Sequence, residues 1–246
     1  MLRKIYNTII TIMAAIKTLP TLYKVKKMEY NELSDAKTKL IKKTTQGFGD
    51  TVMKVNKAEL IVEGIENCSN IKTALFVSNH QSNFDIPLLL KVVPQQIGFI
   101  SKIELKKLPI FGTWITEMNG IYIDRENKRQ SLQAIKDGII KLKEGHSLVI
   151  FPEGTRSKGL KINEFKTGSL TLAARADVPI IPVAIEGTYN VGVDKKPIIT
   201  ITFLNPIYLQ PNDKLNDVTY SIQKNIEHVV EDNKQYIKEL KQNKIC

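Results

Sequence analysis

Apolar positions along this chain change their spacing twice. From residue 1 to about Pro20, Ile5, Ile9, Ile12, Met13 and Ile16 recur at helical intervals, flanked by Arg3, Lys4 and Lys17. From about 31 to 56, Leu33, Leu40, Ile41, Phe48 and Val52 sit among many lysines, a pattern that predicts one or two surface helices. The Lys-Lys runs there are expected to form a solvated face. Beyond that point short apolar runs alternate with amphipathic stretches. The runs 58–65, 74–78, 97–101, 120–123, 147–151, 180–185 and 198–204 predict strands. The stretches 86–93, 110–118, 128–143 and 169–175 predict helices between them, and a polar helix is expected over 217–242. Strands alternating with helices imply an α/β fold, a mainly parallel mixed sheet buried between flanking helices. The expected division is an N-terminal helical membrane-association segment, 1–56, and one α/β domain, 57–246.

Composition narrows the function classes. A chain of 246 residues, 42% hydrophobic and 25% charged, is long enough for a sizeable core and excludes wholesale disorder. Two cysteines exclude a disulfide framework and a cysteine-built metal knuckle. No apolar run approaches the roughly 18 residues of a spanning helix. The net charge of +11, from 36 basic and 25 acidic residues, calls for an anionic partner. Nucleic acid is set aside, since neither an aromatic-rich reading surface nor a helix-turn-helix signature is present. A membrane surface and a phosphorylated substrate remain.

The N-terminal segment admits two readings. It is a helical cap on the core, or a helix lying in a membrane interface with Lys24, Lys26 and Lys27 at anionic headgroups. A signal peptide is disfavoured, because no small-x-small cleavage site leads into a polar mature chain.

Four places at expected strand ends carry candidate chemistry, where α/β sheets put their working residues. The first is Ser78-Asn79-His80-Gln81-Ser82-Asn83-Phe84-Asp85. On a regular helix His80 and Asp85 would stand about 140° apart, but a strand end, a turn and a helix start can bring them together. An ionised Asp85 would then fix the imidazole tautomer and leave the other nitrogen as a general base. Ser82-x-x-Asp85 is also a capping box, so Asp85 has a purely structural reading, compatible with the first. The second place is Gly120-Ile121-Tyr122-Ile123-Asp124-Arg125, where Arg125 either clamps a phosphate or pairs at the surface. The third, Phe151-Pro152-Glu153-Gly154-Thr155-Arg156-Ser157, offers an anion cradle or a tight turn with an internal ion pair. Glu153 there would orient Arg156 or bind a substrate hydroxyl. Lys166 and Lys102 are possible additions to the basic mouth. The fourth, Val178-Pro179-Ile180-Ile181-Pro182-Val183, reads as a core strand with an apolar wall for a substrate.

In this order the four blocks resemble those of the glycerolipid acyltransferase family, over roughly residues 59–206. The resemblance implies acyl transfer from acyl-CoA or acyl carrier protein to a lysophospholipid acceptor, at the sn-2 hydroxyl of 1-acyl-glycerol 3-phosphate. It implies His80 as general base and Asp85 as its orienting partner. Arg125, Glu153, Gly154, Thr155 and Arg156 would serve the glycerol phosphate, and the fourth block would lie near the acyl path. Direct attack of the hydroxyl needs neither metal nor cofactor. Residence at the cytoplasmic face of the cell membrane, peripheral or monotopic, is the expected location. Other acceptors, including glycerol 3-phosphate, and a non-catalytic binder of anionic lipid are the rivals.

Overall fold

The computed structural model describes residues 2–28 and 34–243. Leu33 and Cys246, and the side chains of Arg3, Lys4 and Ile5, lie outside the described residues. Every strand expected from the apolar runs forms. Strands β1 (Glu59–Glu63), β2 (Leu75–Ser78), β3 (Ile97–Lys102), β4 (Ile121–Ile123), β5 (Ser147–Ile150), β6 (Ile180–Glu186) and β7 (Ile198–Phe203) make one sheet, ordered β1-β7-β6-β2-β5-β3-β4. From β6 to β4 all neighbours are parallel. β7 meets β6 antiparallel, and β1 runs with β7.

The two-residue strand period feeds two cores, one on each face. Leu75, Val77, Leu148 and Ile180 enter one, and Phe76, Val149, Ile181 and Val183 enter the other. The second face is covered by α1 (Leu2–Lys17), α2 (Leu19–Lys27), α3 (Ser34–Val55), α5 (Asp85–Val92) and α6 (Pro109–Glu117). The first is covered by α7 (Lys128–Lys143), α8 (Thr171–Ala176) and α9 (Leu215–Asn243). A single turn, α4 (Glu66–Ser69), follows β1.

Two expectations need correction. The single helix α3 falls within the expected one or two, but it is more than a surface element, with Ile41, Val52 and Met53 buried along one side. Gly49 permits this, since a Cβ there would stand 2.4 Å from the Pro87 carbonyl of α5. Nor is Lys42 solvated: its ammonium reaches the Leu90 and Val93 carbonyls at the end of α5, and burial lowers its pKa to about 8. Pro20 follows the first helix as expected and lies in the opening turn of α2, where its missing N–H costs nothing.

The N-terminal pair faces two ways. Ala14, Ala15, Leu22 and Val25 turn inward, and the Thr18 hydroxyl accepts from Trp114 Nε1 at 2.7 Å while donating to the Ala15 carbonyl. On the other side Tyr6, Ile9, Met13, Ile16 and Tyr23 are 47–64% exposed, an apolar stripe that the core does not use. No single described helix is long and apolar enough to cross a membrane, although α1 and α2, bent by 41°, pass that test together.

Candidate active site

The C-terminal ends of β2, β5, β6, β3 and β4 open on the same edge of the sheet, because these strands are parallel. The loop after β2 carries His80 and delivers Asp85 as the first residue of α5. Their side chains meet: His80 Nδ1 lies 2.6 Å from Asp85 Oδ2. Asp85 is fully buried, and the same oxygen accepts the backbone N–H groups of Gln81 at 2.8 Å and Ser82 at 3.0 Å. The Ser82 contact is one half of the expected capping box, but the other half is missing: Ser82 Oγ accepts from Phe84 N, and α5 starts at Asp85 behind Phe84 with no side-chain cap. Because an ionised carboxylate only accepts, Nδ1 must donate, which leaves Nε2 with its lone pair. The imidazole stacks on Phe151, with ring centroids 4.0 Å apart, and keeps 17% of its side-chain surface exposed.

Polar residues around the loop hold it from two sides. Asn79 pairs with both backbone groups of Ile185 at 2.8 Å. Ser82 Oγ donates to the Thr188 carbonyl and accepts from Phe84 N. Glu153, at the end of β5, accepts His80 N at 2.6 Å on one oxygen and both Asn163 N and Asn163 Nδ2 on the other. Burial pushes its carboxyl pKa up, and these donors work against that rise. The backbone of Ser157 returns to donate to the His80 carbonyl at 2.8 Å.

Two cavities open near the dyad without being lined by it. The larger, about 440 Å³, lies under α1 and is lined among others by Ile12, Phe84, Phe99, Trp114, Ile115 and Met118. The smaller, about 240 Å³, is lined by Arg125, Phe151, Gly154, Lys166 and Ser169 among others. Neither His80 nor Asp85 lines either cavity, but Phe84 of the His80 loop lines the apolar one and Phe151, stacked on the imidazole, lines the basic one. Arg125 donates to the Gly154 carbonyl, and its partial burial lowers its pKa against the opposing pull of Glu104. Gly154 has φ +71°, and a Cβ there would meet Arg125 Nη1 at 3.1 Å and Lys166 Nζ at 3.2 Å. Among the described residues no group of three or more His, Cys, Asp or Glu side chains is placed to hold a metal ion.

The expected site residues therefore separate. His80 and Asp85 come together, and Arg125, Gly154 and Lys166 share one cavity. Glu153 departs from one expectation: it does not orient Arg156, because its two oxygens accept from His80 N and from Asn163 N and Nδ2, and it is 5% exposed. Arg156 instead donates to Asn83 Oδ1 at 2.8 Å. Thr155 is exposed beside it, and Lys102 is exposed at the end of β3, lining neither cavity. The fourth block is core: no residue of 178–183 lines the apolar cavity. Its contribution comes from just beyond, where Glu186, Gly187 and Thr188 contact the dyad loop. Those three residues were missed, although a second Glu-Gly-Thr following an apolar strand, as at 153–155, was visible in the sequence.

A histidine–aspartate pair thus lies at the mouth of a mainly parallel sheet, near a cavity lined by two cationic side chains and a larger apolar one. The family described as acyltransferase matches residues 59–186, just over half of the chain, and the chain belongs to that family. It is 33% identical over 163 residues to a chloroplastic 1-acyl-sn-glycerol-3-phosphate acyltransferase of Brassica napus, covering 63% of this chain and 47% of that protein. It is 35% identical over 123 residues to the 1-acyl-sn-glycerol-3-phosphate acyltransferase of Haemophilus influenzae, covering 49% and 50%. The chain thus spans about half the length of the curated relatives it matches. The crystal structure of the 1-acyl-sn-glycerophosphate acyltransferase of Thermotoga maritima superposes with TM-score 0.76 at 28% identity, covering 94% of this chain and 98% of that one.

Proposed function

We propose that the protein transfers a fatty acyl group from an acyl thioester, on coenzyme A or acyl carrier protein, to the sn-2 hydroxyl of 1-acyl-glycerol 3-phosphate, giving phosphatidic acid. The observation that carries this reading is the His80–Asp85 pair, with Phe84 of its loop lining the apolar cavity and its stacking partner Phe151 lining the basic one. Arg125 and Lys166 offer cationic donors to the acceptor phosphate, with the Gly154 turn holding Arg125 in place. The apolar cavity, within the usual roughly 300–1,000 Å³ of small-ligand sites, takes acyl chain.

The chemistry needs one base and no covalent enzyme intermediate. Nε2 of His80 takes the proton of the sn-2 hydroxyl as its oxygen attacks the thioester carbonyl carbon, a step worth about 10² to 10⁴ in rate. Asp85 stabilises the imidazolium that forms. Collapse of the tetrahedral intermediate breaks the C–S bond, and the imidazolium returns its proton to the leaving thiolate. The Phe151 stack keeps the ring from swinging away during this cycle.

Supply of a lipid acceptor gives the exposed stripe on α1 and α2 a role. Ile9, Met13 and Ile16 enter the acyl region of the cytoplasmic leaflet while Lys24, Lys26 and Lys27 meet anionic headgroups, so the protein binds peripherally. The test is acceptor-dependent thiol release from acyl-CoA or acyl carrier protein, with the lipid product identified by mass. Lysophosphatidic acid is expected to support release and neutral monoacylglycerol to fail. Equal rates with both acceptors would remove the phosphate from the reading, and no release with any donor would remove the reaction.

A further inference from the structure

We propose that Thr188 is a positioning residue of the acyl transfer, holding the Asp85 carboxylate and through it the His80 ring in one orientation; this role rests on His80 being the base. The three donors named above all reach Asp85 Oδ2. The other oxygen, Oδ1, accepts the hydroxyl of Thr188, 103 residues away in sequence and itself fully buried. A carboxylate held at one oxygen can still pivot about the bond to its carbon chain. Held at both oxygens, it presents a single plane to the imidazole.

Thr188 is itself over-determined. The turn that carries it begins at Gly187, with φ +91°, where a Cβ would stand 2.2 Å from the Ile198 carbonyl of β7. The Gln81 amide oxygen accepts Gly187 N at 3.1 Å and stands 3.4 Å from Thr188 Oγ1, while its nitrogen donates to the buried Glu186. Ser82 Oγ donates to the Thr188 carbonyl at 3.1 Å. The hydroxyl has one proton and two acceptors in reach. The charged one, Asp85, is the stronger, which directs the proton to Oδ1. The end of β6 therefore serves as a fixed post for the dyad rather than as part of a substrate wall.

The test compares Thr188→Val, which keeps the shape and removes the hydroxyl, with Thr188→Ser, which keeps the hydroxyl. The chain has three histidines, so ¹⁵N-histidine spectra of the full protein in detergent micelles resolve the His80 ring, assigned by its loss in His80→Ala. Wild type and Thr188→Ser are expected to show the Nδ1-protonated tautomer, and Thr188→Val a mixture. With lysophosphatidic acid and acyl-CoA, Thr188→Val is expected to lose about tenfold in kcat with both KM values unchanged, and serine to restore most of it. An unaltered tautomer in Thr188→Val overturns the proposal, whatever the rate. Serine failing alongside valine, with matching losses in melting temperature, assigns Thr188 to core shape and overturns it too. A tautomer that depends on the hydroxyl in a wild type lacking acyl transfer supports the hold on the dyad and removes the acyltransferase reading instead.

Discussion

Replacing Glu153 with glutamine tests whether the inward carboxylate holds the catalytic loop. The two side chains match in shape, so the change acts through hydrogen bonding alone. Glu153 gives one oxygen to His80 N and the other to Asn163 N and Asn163 Nδ2. Glutamine keeps one oxygen and turns an NH₂ toward the second set of donors. The Asn163 side chain can flip to accept it, but neither backbone N–H can, so in either orientation one part-buried N–H loses its acceptor. That costs about 0.5–1.5 kcal/mol, which for a chain of this length lowers Tm by roughly 2–4 °C at the middle of that range. If the glutamine NH₂ faces His80, the loop that presents the imidazole moves as well, and kcat falls with stability. Burial raises the Glu153 pKa, so in the window above the ordinary carboxyl value the folded protein keeps a proton that the unfolded chain has released. Its contribution is therefore present at lower pH and lost as pH rises through the folded value, a slope that Glu153→Gln abolishes. Thermal melts from pH 4 to 8, beside thiol-release kinetics, measure all three effects. A variant with wild-type Tm, slope and kcat would refute the assigned role.

Arg125→Ala is expected to raise KM for lysophosphatidic acid at least tenfold while leaving KM for acyl-CoA within twofold, by steady-state kinetics, since a charge-assisted phosphate contact is worth about 1.5–3 kcal/mol. Ile115→Trp, which fills part of the apolar cavity, should shift preference toward shorter acyl donors in a competition read by product mass. Ile9, Met13 and Ile16 changed together to serine should reduce sedimentation with anionic vesicles without lowering Tm, because these side chains leave the core untouched. Lys42 has its pKa lowered to about 8, so between that value and 10.5 the unfolded chain holds the extra proton and stability rises with pH. Urea titrations should show wild type gaining on Lys42→Met between pH 7.5 and 9.5, by on the order of 1 kcal/mol after solvent screening.

What the sequence made legible follows from how locally each feature is encoded. Strands such as 75–77 and 180–185 are continuous apolar runs, which a sheet buried on both faces demands, and they were readable without tertiary information. The His80–Asp85 pair was readable because both residues lie in one loop, so a turn suffices to join them. Helix α3 was legible, but its buried side was not, because its lysines dominate the pattern and Gly49 is far in sequence from the α5 surface that receives it. Glu153 and Arg156 stand close enough in sequence to suggest a pair. What the sequence did not reveal was the three donors from His80 and Asn163 that outcompete one exposed guanidinium. Thr188 was missed for the same reason: its partner lies 103 residues away, and only the parallel pairing of β2 with β6 brings the two together.

The central claim is that the His80–Asp85 pair drives acyl transfer to a lysophosphatidic acid hydroxyl, and one comparison addresses it most directly. Purified wild type and His80→Ala, matched in Tm, would be mixed with lysophosphatidic acid micelles and an acyl-CoA. Free thiol and lipid mass would be followed together. Phosphatidic acid and stoichiometric thiol from wild type, both lower by 10² to 10⁴ in the variant, is the predicted result. Phosphatidic acid formed by the variant at the wild-type rate would contradict it.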